Sequence, residues 1–234
     1  MQKTWGWTDE ECTQRVPGLS DARSICIGID PNKSKTILLL GDSHAQHLIP
    51  GMRARWQDAN LVTLVFPGCK IIQDWESNKG KCLTLIDYVF NNIDFWDNVD
   101  SVVISMRQNA SIAEGARSTI KFLQSKGLKD IVYVGPIYEF EGSFAEILSQ
   151  NIDATISELD QIAKKSIRDY VKGEASEIAE GIPGDVTYIN TYDLLCPRDE
   201  CLIFTKDGIP VLFDANHYTV AGSKTFVRMW PDLF

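Results

Sequence analysis

Short runs of uninterrupted aliphatic residues alternate with stretches in which apolar positions recur every three or four residues. The aliphatic runs, at 36–40, 61–66, 101–106, 130–135 and 186–190, are too short for helices and read as strands buried on both faces. The helical spacing falls at 45–57, at 82–95 and at 112–124, where Gly127 closes the helix. Residues 142–171 predict one long helix or two shorter ones, and 219–229 a final helix. Pro136 stops the fourth strand. Strands and helices in strict alternation imply an α/β fold: a three-layer α/β/α sandwich around a mostly parallel sheet of about five strands. The first 34 residues differ, being polar and rich in turn formers, with Pro17-Gly18 and Pro31-Asn32. They read as a lead-in segment packed on a domain that runs from 35 to 234. After Tyr192 the pattern turns irregular, with room for a small hairpin before the last helix.

Two segments carry candidate chemistry. Gly41-Asp42-Ser43-His44 directly follows the strand Ile37-Leu38-Leu39-Leu40. Ligands of open α/β sheets bind outside the carboxyl ends of strands, so a serine here sits where substrates are met. The helix start beyond it offers the Ser43 and His44 amides to an anion. The plainer reading is that Asp42 or Ser43 is only a helix cap. No glycine-rich loop with a following lysine is present, so a phosphate cradle is a poor fit. Serine needs a base, and the chain has three histidines, His44, His47 and His217. Only His217 has a carboxylate at a useful spacing. In a helical turn, residues three apart share a face, so Asp214 can orient the His217 ring and leave its other nitrogen for Ser43. A helix cap beside a surface histidine is the alternative for that pair. His44 and His47 stand as candidate substrate contacts, although a packed or solvated His47 fits as well.

Charge and cysteines narrow the class. A formal net charge of −9 argues against nucleic acid as a partner and against docking on anionic lipid by charge alone. Six cysteines, Cys12, Cys26, Cys69, Cys82, Cys196 and Cys201, fall into three close sequential pairs. Fifteen pairings are possible, but short loops make the sequential one simplest; free buried thiols and a zinc site are the alternatives, the second without any C-x-x-C spacing. Disulfides imply an oxidising compartment. Residues 1–20 hold no apolar signal segment, and no stretch approaches the roughly 20 apolar residues of a membrane span. The expectation is therefore a domain belonging to a longer, membrane-targeted or exported polypeptide.

Together the two segments resemble the SGNH (GDSL-like) hydrolase superfamily. The resemblance is closest to SGNH domains fused to acyltransferase-family-three membrane proteins that O-acetylate surface polysaccharides. It rests on Gly41-Asp42-Ser43-His44-Ala45, on Leu195-Cys196 with Cys201, and on Phe213-Asp214-Ala215-Asn216-His217-Tyr218-Thr219-Val220-Ala221-Gly222. It spans 36–234 in outline and is specific at the two ends. It implies a Ser43, Asp214 and His217 triad, with an oxyanion held by the Ser43 amide, Asn109 and Gly68. The superfamily pattern Gly-x-Asn-Asp is here Arg107-Gln108-Asn109-Ala110, so the glycine and the acid are replaced, and Arg107 becomes a candidate substrate contact.

The function expected on this basis is O-acyl transfer, acetyl above all, to a sugar hydroxyl of a polysaccharide at the periplasmic face of the inner membrane. The implied partners are the polysaccharide acceptor and a fused or associated membrane acyltransferase domain. That membrane domain would use the acyl donor, such as acetyl-CoA, so no metal or cofactor is expected in this one. A carbohydrate acetyl-esterase would use the same triad. A non-catalytic glycan-binding domain is the reading from another class. It draws on six tryptophans, Trp5, Trp7, Trp56, Trp75, Trp96 and Trp230, which could stack on sugars.

Overall fold

A computed structural model describes residues 12–20, 22–73, 75–92 and 94–234. Six strands form one sheet in the order β1-β3-β2-β4-β5-β6. They are β1 (Ile25–Cys26), β2 (Lys35–Gly41), β3 (Ala59–Val65), β4 (Ser101–Ser105), β5 (Asp130–Val134) and β6 (Thr187–Ile189). All neighbours are parallel except β1, which pairs antiparallel with β3. The five long runs are thus the five parallel strands; the sixth is a two-residue edge too short to leave a pattern.

The continuous aliphatic character of the strands has its reason in the layers. Leu38 and Leu40 of β2 enter one core, while Ile37 and Leu39 enter the other. Val102 and Ile104 of β4 likewise face away from Val103. The first core is covered by α3 (Lys81–Asn91) and α4 (Ala110–Ser125), the second by α1 (Ser43–Gln46), α2 (Ile49–Arg55), α5 (Phe144–Gln150), α6 (Ile156–Lys165) and α9 (Val220–Arg228). Helix α7 (Tyr170–Gly181) crosses the edge, with Ile178 in the first core and Val171 and Ala175 in the second. The segment before β2 supplies Val16, Leu19 and Ile25 to the first core.

Three local departures from the pattern have physical causes. The helix expected at 45–57 is broken into α1 and α2, because Pro50 lacks an N–H and is accommodated only in the first turn of a new helix. The region 142–171 holds parts of three helices. Capping boxes at Ser143/Glu146 and Thr155/Glu158 start α5 and α6 separately, and α7 runs on to Gly181 with Gly173 weakening its signal. A further short helix, α8 (Thr191–Leu195), is capped by Asn190.

The six cysteines form three disulfides in sequential order, Cys12–Cys26, Cys69–Cys82 and Cys196–Cys201. No thiolate is left for zinc. No helix among the described residues is long and apolar enough to cross a membrane. Trp96 and Trp230 are buried, and Trp56 and Trp75 pack partly buried against the cores. Trp5 and Trp7 lie outside the described residues. The described tryptophans therefore offer no exposed stacking platform.

Candidate active site

Strand β2 is flanked by β3 on one side and β4 on the other, so the chain reverses its direction of travel across the sheet at β2. The crevice beyond the carboxyl end of β2 is where such sheets bind ligands. Gly41 ends the strand at φ +147, and a Cβ there would fall 1.7 Å from the Ser105 carbonyl oxygen of β4. Only glycine allows β2 to turn this close to β4. Asp42 then caps α1, its carboxylate accepting the His44 N–H at 2.8 Å, and Ser43 becomes the first residue of the helix.

The base approaches from the other end of the chain. Asp214–His217 is not the helical turn expected from its spacing. It is a bend between Leu212 and Tyr218, which bridge each other as antiparallel partners. The Asp214 carboxylate itself shapes the bend: one oxygen accepts the backbone N–H groups of Asn216 at 3.0 Å and His217 at 2.8 Å. Asx-type bonding of this kind replaces the helix that a three-residue spacing suggests. The other carboxylate oxygen lies 2.8 Å from His217 Nδ1, and His217 Nε2 lies 2.9 Å from Ser43 Oγ. Burial opposes ionisation of Asp214. The hydrogen bonds from the His217 ring and from the Asn216 and His217 amides, with the attraction of the ring's charge, outweigh it and hold the carboxyl below its ordinary value. Asp214, His217 and Ser43 thus form one hydrogen-bonded chain, with the carboxylate ionised and the far ring nitrogen on the hydroxyl.

The neighbours of this chain are as specific as its members. Asp42 is 2% exposed and accepts the Arg107 N–H in addition to that of His44. Lys70 Nζ forms an ion pair with it and also donates to the Arg107 carbonyl. One buried carboxylate thus binds the nucleophile turn, the loop after β3 and the loop after β4. Lys70 is itself placed by Asn78, whose side-chain amide bonds both the Lys70 N–H and its carbonyl within the Cys69–Cys82 loop. On the base side, Glu139 accepts Arg107 in a two-pronged pair (3.2 and 3.0 Å), the Asn216 amide (2.8 Å) and the Tyr170 hydroxyl (3.1 Å). Burial pushes the Glu139 carboxyl up, but these donors outweigh it and leave it below the ordinary value.

The remaining candidates are placed as follows. Arg107 is held by Glu139, with its side chain 57% exposed. Asn109 is exposed and caps α4, its side-chain oxygen accepting from the Ile112 N–H and the Ser111 hydroxyl. Gly68 is the exposed corner of the Phe66–Cys69 turn at φ +76, a left-handed geometry that follows Pro67 in a turn of this type. The His44 N–H is taken up by Asp42 and is not free for an anion, contrary to the expectation for the helix start. Both His44 and His47 are buried rather than presented to a substrate. The His44 ring lies 5.1 Å from that of His217, and its Nε2 has no hydrogen-bond partner. Burial pushes His44 down to about 4 and His47 well below the ordinary value; His47 Nδ1 accepts the Tyr218 N–H. All three histidines of the chain meet here.

Sequence reasoning did not single out Lys70, Glu139, Tyr170 or Asn216. Glu139 had a signal: a carboxylate between Tyr138 and Phe140, in the apolar stretch past the strand that Pro136 stops, must find partners when buried. Lys70 had none, because its partner is set by the disulfide loop rather than by spacing.

Over residues 11–232 the chain matches the family described as SGNH domain (fused to AT3 domains). No curated protein matches it. Among solved structures it is similar to the periplasmic domain of the lipopolysaccharide acetyltransferase of Salmonella ser. Paratyphi A. That match has a TM-score of 0.67 and 17% identity over 89% of this chain and 85% of the other. It is also similar to the C-terminal catalytic domain of a peptidoglycan O-acetyltransferase from Streptococcus pneumoniae, with a TM-score of 0.40 and 16% identity over 84% and 90%. At these identities the likeness to the first is one of fold.

Proposed function

The chain belongs to the family of SGNH domains fused to AT3 domains, and on that premise we propose that it is a serine-dependent O-acyltransferase domain. It moves an acyl group, acetyl by preference, onto a sugar hydroxyl of a cell-surface polysaccharide. It does so at the periplasmic face of the inner membrane, beside an acyltransferase membrane domain that delivers the acyl group from a donor such as acetyl-CoA. The observation that carries this reading is the continuous bond chain from Asp214 through His217 to Ser43. The disulfides agree with an oxidising compartment.

The mechanism follows from the geometry. His217 Nε2 takes the Ser43 proton as Oγ attacks the acyl carbonyl, and Asp214 stabilises the imidazolium that results. The Ser43 amide, with Asn109 and Gly68 as further candidates, donates to the oxyanion of the tetrahedral intermediate. His217 then protonates the leaving group, and acyl-Ser43 remains. A sugar hydroxyl gives its proton to His217 and attacks the acyl carbonyl; the Ser43 Oγ–acyl bond then breaks, His217 returns the proton to Oγ, and the acylated sugar leaves. Arg107 and the exposed rim of the crevice meet the substrate; His44 and His47 act behind His217 as neutral packing.

The test combines two readouts. Release of 4-nitrophenolate from 4-nitrophenyl acetate should depend on Ser43. Mass spectrometry of an added oligosaccharide should show an acetyl gain with the wild-type protein and none with Ser43→Ala. Hydrolysis without any saccharide product, across acceptors, would make the protein an acetyl-esterase instead.

A further inference from the structure

A cavity of about 430 Å³ opens beside the crevice, between the β4–α4 loop and the first turns of α7; it shares Arg107 and Asn109 with the mechanism, whereas Tyr170 and Glu174 have no part in it. Its size falls in the roughly 300–1,000 Å³ range of small-molecule sites. Its walls include Lys70, Arg107, Asn109, Glu139, Tyr170 and Glu174. Resting on the acyl-transfer reading, we propose that this cavity is the subsite for one neutral sugar ring of the acceptor, with Tyr170 as its stacking wall and Arg107, Asn109 and Glu174 as its polar contacts.

Three observations carry the inference. The first is location. The Arg107 N–H bonds Asp42, the residue before Ser43, and the Asn216 amide bonds Glu139, Asn216 being the residue before His217. The walls of the cavity are thus bonded to the residues that immediately precede both reacting side chains.

The second is charge. Lys70 and Arg107 are each neutralised in place, by Asp42 and Glu139, and Glu174 adds a further carboxylate. Among the residues lining the cavity, a phosphate or a carboxylate thus meets no cation without a carboxylate partner. A polyhydroxylated ring, which both donates and accepts, finds guanidinium and amide donors beside carboxylate acceptors.

The third is rigidity. Tyr170 is 47% exposed, yet its hydroxyl is tied to Glu139 at 3.1 Å, and Arg168 stands 6.0 Å from its ring centroid. Glu139 also grips Arg107. An aromatic wall fixed before the ligand arrives binds at a lower entropic cost.

The experiment uses the full ¹⁵N-labelled Ser43→Ala chain, so that binding is read without turnover. Cellotetraose, maltotetraose and chitotetraose are titrated, with inorganic phosphate as a separate arm, and backbone amide shifts are followed. Saturable shifts confined to residues 107–109 and 170–174 are expected with at least one saccharide. Adding Tyr170→Ala should weaken that binding roughly ten-fold, whereas Tyr170→Phe, which keeps the ring, should stay within about three-fold. Thermal melting confirms that both variants are folded. The proposal is overturned if no saccharide gives saturable shifts or if the shifts map elsewhere. It is also overturned if folded Tyr170→Ala binds as well as its parent, or if phosphate shifts these amides at lower concentration than any saccharide. The acyl-transfer reading fails separately, if wild-type release of 4-nitrophenolate does not depend on Ser43.

Discussion

Ser43 and His217 meet at 2.9 Å but arrive there by different means. Ser43 stands two residues past the end of a central parallel strand, which ladders to β3 and β4 fix on both sides up to Gly41. His217 stands in a bend with no regular structure, reached from an irregular stretch after the Cys196–Cys201 loop. Its position depends on side chains: Asp214 shapes the bend, Asn216 ties it to Glu139, and the Tyr218 N–H rests on His47. Beyond the bend, Thr219 caps α9, and Arg55 of α2 holds the carbonyls of Val227 and Trp230. The nucleophile is thus held by a strand ladder and one buried carboxylate, the base by polar side chains. Point substitutions should disturb the second half more selectively, while damage to the first half should cost the fold.

The largest expected effect does not distinguish the halves, because the triad acts as a unit. Ser43→Ala and His217→Ala should each reduce ester turnover by about 10⁴-fold or more, and the double variant no further. Asp214→Asn should lose less than either. Turnover of His217→Ala close to wild type would remove His217 as the base.

The next substitution probes the nucleophile half. Lys70→Met leaves the buried Asp42 carboxylate without its ion partner, and breaking such a pair costs about 3–5 kcal/mol. Urea unfolding should show this as a lower midpoint with an unchanged slope. A stability loss under about 1 kcal/mol would mean that the backbone ladders alone hold the turn, against the role given to Asp42.

On the base side, Glu139→Gln should act on activity more than on stability. It weakens the grip on Asn216 and Arg107, for about 1–3 kcal/mol of stability at most. A small displacement of His217 should still lower turnover, on the order of 10-fold or more. Equal and small effects on both would show that the bend is held without Glu139.

The histidine cluster gives a pH signature. His44, pushed down to about 4 in the fold from its ordinary 6.5, stays neutral where the unfolded chain takes up a proton. Stability is therefore fully present above about 6.5 and is lost as pH falls towards 4. From His44 alone the loss between pH 7.5 and 5 is about 2 kcal/mol, and His47 acts in the same direction. Denaturant midpoints at the two pH values should show it, and His44→Gln should reduce the difference. A pH-independent midpoint would contradict the neutral, buried state of these rings.

The same contrast explains what the sequence could tell. The five parallel strands were legible because burial on both faces leaves unbroken aliphatic runs. The Ser43 turn was legible because Gly41 and Asp42 have local reasons to be there. Asp214 and His217 were recognisable as a pair, but the spacing misled as to their backbone, since a helix and an Asx bend both bring residues three apart together. The links through Lys70, Glu139 and Tyr170 join residues tens of positions apart, and no periodicity encodes them. The two-residue β1 and the glycine-weakened α7 were too faint to read.

The central claim is that Ser43, activated by His217, carries the acyl group. Its most direct test is rapid acid quenching of the protein with 4-nitrophenyl acetate, followed by peptide mass spectrometry. The wild type should show one acetyl group on the peptide containing Ser43, and His217→Ala should show none. Acetyl on another residue, or equal labelling of Ser43 in both proteins, would contradict the account.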